Sequence, residues 1–110
     1  MLLDRAPEAT AILAMSDRHA TAVLAEAKRR DINVPKDLSV IGFDDAENAI
    51  FVDPPLTTVA QPTIEKGRIA ARILFEDGPL RQVVLPAKLI VRASTAPPRG
   101  PSNKTETYGE

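Results

Sequence analysis

The sequence contains no cysteine, a single histidine (His19), three phenylalanines and one tyrosine. Without cysteine there is no disulfide framework, no thiolate metal site and no cysteine nucleophile. One histidine cannot build a multi-histidine metal centre. No metal and no other cofactor is expected. No apolar run approaches the roughly 20 residues that a bilayer-spanning helix needs. The start, Met1-Leu2-Leu3-Asp4, lacks the basic-then-apolar order of a secretory signal. The expectation is a soluble, cytoplasmic protein without membrane contact. Charge of one sign is missing too: 14 basic residues against 15 acidic ones leave a net −1. Nucleic-acid binding needs a clustered basic face, so direct DNA binding by this chain is not expected.

What is present fits one small globular domain. The 110 residues are 44% apolar and 26% charged, and with so few aromatic rings the core must come from Ala, Ile, Leu and Val. A chain of this length buries roughly two-thirds of its unfolded surface, enough for a core.

Ala11-Ile12-Leu13-Ala14-Met15 is a short apolar run that reads as a strand buried on both faces. Ser16 follows as a helix N-cap, with Asp17 in the first turn, where the helix dipole favours a negative charge. From Asp17 to Arg30, Ala20, Val23, Leu24 and Ala27 recur every three or four residues, which predicts an amphipathic helix. Lys28, Arg29 and Arg30 end it as a solvated basic end, and Asp31 takes the left-handed position after it. Val34 to Asp37 is a turn, and Leu38 to Phe43 a second buried strand in which Gly42 marks a close backbone approach or a strand end.

Asp44 to Asp53 has no clean period and reads as loop with a short helical turn. Pro54-Pro55 excludes regular structure, Leu56 to Ala60 is a third strand, and Pro62 opens a helix over Thr63 to Phe75. Ile64, Gly67, Ala71 and Leu74 mark one face of that helix. Val83 to Leu85 and Lys88 to Arg92 read as two strand pieces flanking Pro86. Residues 1–96 are expected to form the domain portion and 97–110, rich in Pro, Gly, Ser, Lys and Glu, a disordered tail. Alternating strands and helices argue for an α/β fold with a mainly parallel sheet and flanking helices. In such sheets ligands bind at the carboxyl ends of the strands, where Ser16-Asp17, Asp44-Asp45 and Gln61 fall.

These stretches resemble a known family. Ala14-Met15-Ser16-Asp17, Val34 through Asp45, Pro54 through Pro62, Gly67 and Leu89 through Thr95 keep the order and spacing of the lactose- and galactose-repressor family of bacterial transcription regulators. The resemblance runs from about residue 10 to residue 96 and implies the C-terminal part of a ligand-sensing domain of periplasmic-binding-protein type (type I). In that family a small effector, often a sugar, binds between two lobes, and a helix-turn-helix headpiece binds DNA. The headpiece and most of the first lobe have no counterpart in these 110 residues. The expectation is therefore a fragment that neither binds operator nor binds ligand with normal affinity by itself.

The resemblance implies that Asp44 accepts hydrogen bonds from ligand hydroxyls or ring nitrogens; an ionised carboxylate is suited to this. The competing role for Asp44 is capping the turn that follows. Gln61 is either a cleft contact or a bond to the hinge backbone. Ser16 stands where the family often has a ligand-contacting Asn, but its hydroxyl is equally needed as the helix cap, which is the preferred of the two. Thr63 stands where some members place a cleft aromatic. Asp45 is read as structural: neighbouring side chains at a strand end diverge, unlike the facing carboxyl pair of a glycosidase. No enzymatic activity is expected, and His19 is read as a surface residue. Phe51 and Val52, with the face around Thr21 and Ala22, match positions that in relatives contribute to a homodimer contact.

Two other functions compete. One is a self-associating structural fragment without independent ligand binding; the other is part of a sugar solute-binding protein. A phospho-receiver domain agrees in length and alternation but lacks a suitable late Lys at a strand end.

Overall fold

The computed structural model describes residues 2–100. A short helix α1 (Leu2–Arg5) leads to strand β1 (Ala11–Leu13), helix α2 (Asp17–Arg29) and strand β2 (Ser39–Ile41). A 3-10 turn (Glu47–Ile50) precedes strand β3 (Thr58–Ala60), helix α3 (Thr63–Phe75) and strand β4 (Lys88–Ile90).

β1 and β2 pair in parallel, with Ile12 opposite Val40. Single parallel bridges, Ile41 to Thr57 and Asp44 to Ala60, carry the order on from β2 towards β3. β3 and β4 pair antiparallel, with Val59 opposite Leu89. The α/β class and the parallel strand order agree with the expectation; the last pairing reverses it.

α2 forms for the reasons legible in its sequence. Ser16 caps it in extended conformation, its hydroxyl accepting from His19 N. At the other end Asp31 takes φ 56°, and the amides of Asp31 and Ile32 return to the carbonyls of Lys28 and Ala27. That is the paired closure typical of a helix ending on a left-handed residue. The buried face of α2 is Ala20, Leu24 and Ala27. Leu24 packs with Leu38, Val40, Ala49 and Leu56, and with Ala14 and Ala20, into the single core cluster among the described residues. Each Leu or Val so buried stabilises the fold by about 1.5–3 kcal/mol.

The segment after β4 completes the core. Ser94 Oγ donates to the Val40 carbonyl and accepts from Thr57 N at 2.8 Å, while Val40 N donates to the Ser94 carbonyl. One serine thus bridges the backbone of β2 and that of the residue leading into β3, and Ser94 is fully buried. Arg99 donates to the carbonyls of Asp37 and Pro7, so the described end of the chain lies against the domain. The tail expected from residue 97 is irregular over 97–100; the rest of it lies outside the described residues.

Three expectations are corrected. The Ala11–Met15 run is not buried on both faces: Leu13 is 70% and Met15 88% exposed, because β1 pairs only with β2 and α2 covers a single side. Val83–Leu85 is not a strand; its backbone finds no partner strand between Pro79 and Pro86. In α3 the half-buried residues are Ile69 and Ile73, which line a groove with Val83, Val84 and Leu85. Ile64 and Leu74, expected to face inward, are exposed. Apolar residues occur on more than one side of α3, so its periodicity left the buried face undecided.

Candidate functional site

The carboxyl ends of β2 and β3 converge on Asp44. Its amide donates to the Val59 carbonyl at 2.8 Å, and its side chain is exposed. Asp44 has φ 113° and Asp45 φ 56°. Non-glycine residues in such regions each cost of order 1–3 kcal/mol and persist only where the surroundings hold them.

The surroundings do hold them. Ala46 N donates to Asp17 Oδ2 at 2.6 Å, and Asp45 N donates to Thr58 Oγ1 at 3.3 Å. Thr58 Oγ1 in turn donates to Asp17 Oδ1. Asp17, on the first turn of α2, is only 1% exposed, and a buried carboxylate must have its acceptors filled. Arg92 closes the other side, donating to Asp45 Oδ1 at 2.7 Å and to the Leu56 carbonyl at 2.9 Å. Asp45 is therefore structural, and the two adjacent carboxylates take separate partners rather than facing one substrate bond.

Asp44 meets Gln61, seventeen residues later, where β3 gives way to α3. Gln61 Nε2 donates to Asp44 Oδ1 at 2.7 Å, and Lys66 Nζ donates to Gln61 Oε1 at 2.7 Å. Asp44, Gln61, Thr63, Ile64 and Arg68 line an open depression of about 480 Å³. With Glu65 also on its wall, it offers two exposed carboxylates, one amide, one hydroxyl and one guanidinium, a set suited to hydrogen-bonding a small polar molecule. Among the described residues no group of three His, Asp or Glu side chains could hold a metal ion.

Ser16 is not in that depression. Its hydroxyl accepts from His19 N at 3.2 Å and lies 3.0 Å from His19 Nδ1, the helix-cap role. Of the residues expected at a dimer contact, Phe51 is 81% exposed and Ala22 is open to solvent. Val52 turns onto the core, and Thr21 donates its hydroxyl to the Asp17 carbonyl at 2.8 Å. Sequence reasoning missed Lys66, Arg68 and Arg92 at the site. Arg92 lies 47 residues from its carboxylate partner and carries no local signal, whereas Lys66 lies only five residues from Gln61.

Residues 1–95 match the periplasmic binding protein-like domain family. The chain belongs to that family. Within this periplasmic-binding-protein-like family, its relatives are LacI-family transcription regulators. It is 42% identical over 99 residues to the HTH-type transcriptional repressor CytR of Escherichia coli K12, covering 86% of this chain and 29% of that protein. It is 49% identical over 102 residues to the HTH-type transcriptional regulator DegA of Bacillus subtilis, covering 87% of this chain and 30% of DegA. Among solved structures it resembles the CelR–cellobiose complex at TM-score 0.79 and 40% identity, over 84% of this chain and 30% of that one. A LacI-family regulator from Enterococcus faecium with bound ribose superimposes at TM-score 0.75 and 35% identity, over 87% of this chain and 37% of that one. The chain thus corresponds to part of the ligand-binding domain of such regulators and spans about three-tenths of the length of these curated relatives.

Proposed function

We propose that this chain supplies one side of an effector-binding cleft in a transcription regulator, with Asp44 as the principal ligand contact and Gln61 beside it. The carrying observation is the exposed Asp44 carboxylate, at φ 113° just before two amides that bond to the buried Thr58 and Asp17, and set 2.7 Å from the Gln61 amide. Strained backbone clusters at ligand-binding positions, which supports this reading of Asp44. A sugar or related polyol is the favoured effector: vicinal hydroxyls donate to a carboxylate, and the structural neighbours include cellobiose- and ribose-bound regulators. Ser16 would contribute only by giving up its cap. A regulator of this kind acts in the cytoplasm, binding DNA through other parts of the polypeptide. The net charge of −1 supports that division.

Self-association is the partner reading, supported by the exposed Phe51 and Ile50 beside the core. Ligand binding is tested by following the backbone amides of the 110-residue chain by NMR while ribose or cellobiose is added. The expected result is saturable shifts at Asp44, Asp45 and Gln61 that weaken about tenfold or more in Asp44→Ala, since hydrogen bonds to a charged group contribute about 1.5–3 kcal/mol. Equal shifts in both proteins would overturn the reading, as would shifts absent in both at sugar concentrations high enough to register the weakened affinity of one side of a cleft.

A further inference from the structure

The amide of Gln61 is gripped at both ends. Lys66 Nζ sits 2.7 Å from Oε1, and Asp44 Oδ1 sits 2.7 Å from Nε2. A lysine ammonium has donors only and an ionised carboxylate acceptors only, so each end dictates the same orientation of the amide. Flipped by 180°, Gln61 would set its oxygen against Asp44 and its NH₂ against Lys66, two repulsive contacts. The backbone of the same turn is fixed as well: Thr63 N donates to the Gln61 carbonyl and Lys66 N to the Pro62 carbonyl, both at 2.8 Å. Lys66 therefore lies one helical turn into α3 with its ammonium returned towards the end of β3.

We infer that Lys66 is a positioning residue for the ligand-facing carboxylate: it orients the Gln61 amide, and the amide in turn orients Asp44. This rests on the reading of Asp44 as a ligand contact. With Nε2 committed to Oδ1, the carboxylate keeps Oδ2 for the ligand, and the site presents an acceptor edge that suits a hydroxyl donor. Because Lys66 is exposed and outside the core cluster, its action on the site separates from any effect on folding.

The test compares the chain with Lys66→Met, which keeps length but no donor, and Lys66→Arg, which keeps a donor. The first readout needs no ligand: the side-chain amide proton signals of Gln61 by ¹⁵N-resolved NMR. In the unaltered chain and in Lys66→Arg they are expected to stand apart from free-glutamine values; in Lys66→Met they move part of the way towards those values, because Asp44 still accepts from Nε2, with the thermal midpoint unchanged. The second readout is the affinity for ribose or cellobiose, expected to fall roughly three- to tenfold in Lys66→Met. Affinity should recover in Lys66→Arg, and Lys66→Met should be silent in a Gln61→Ala background. Free-glutamine signals in the unaltered chain, or equal signals with and without Lys66, would overturn the inference. If neither sugar binds while the amide signals still follow residue 66, the ligand reading fails and the hold of Lys66 on Asp44 stands. If sugar binds the unaltered chain and Lys66→Met alike, the ligand reading stands and the role of Lys66 is overturned.

Discussion

Asp17 and Thr58, 41 residues apart in the chain, share a buried hydrogen bond that joins the start of α2 to the middle of the domain. The same carboxylate receives Ala46 N, and the same hydroxyl receives Asp45 N. Two side chains therefore fasten α2, β3 and the strained turn that carries Asp44. Asp17→Ala is expected to lower stability by about 1–3 kcal/mol in urea unfolding, because it strands buried donors. Thr58→Val should cost about as much, and the double variant should cost clearly less than the sum, since both remove one shared bond. Strict additivity would show that the bond does not form.

Gly42 is explained by the same carboxylate. A Cβ there would lie 2.2 Å from Asp17 Oδ1 and 2.9 Å from Leu56 Cδ2. Gly42→Ala must push α2 away from the strand end, and overpacking of this kind costs about 1–3 kcal/mol. Chemical denaturation measures the loss. An alanine at this position with unchanged stability would mean the helix sits farther from the strand.

Acid should loosen the N-terminal side of the domain before the rest. Hydrogen bonds from Arg29 and then Arg30 hold the Glu26 carboxyl down from its ordinary 4.5 to about 2, and Arg30 holds Asp4 down from 3.8 to about 2. Each folded-state value lies below the unfolded one. The contribution is therefore complete above about pH 4.5 and is lost as pH falls towards 2. Both groups reach solvent, so the effect shrinks with added salt. The slope of thermal midpoint against pH between 5 and 2 should be shallower in Glu26→Gln; an unchanged slope would show that these pairs do not persist in solution.

Phe51 tests association without touching the core. It is 81% exposed, so Phe51→Asp should leave stability within about 0.5 kcal/mol. If the surface around Phe51 and Ala22 joins two copies, sedimentation will show a concentration-dependent dimer for the unaltered chain and a monomer for Phe51→Asp. A monomer at every concentration in both would remove the dimer reading.

Much of the architecture was legible in the residues themselves. The Ser16 cap, the periodic Ala20, Val23, Leu24 and Ala27, and Asp31 at the left-handed close place α2 to within a residue, because caps and apolar spacing act locally. Pro62 and the Thr63–Phe75 helix were equally plain, and the motif around Asp44 identified the family. Which faces are buried and which polar groups meet was settled only by the tertiary structure. Periodicity on α3 could not choose between Ile64 and Ile69 without the 83–85 segment that covers one side. The bonds Asp45–Arg92, Asp17–Thr58 and Val40–Ser94 join residues 41 to 54 positions apart. Such contacts carry no local signal: hydrogen-bond partners depend on where the backbone brings donors and acceptors in space, and that becomes definite only once strands pair and the core closes.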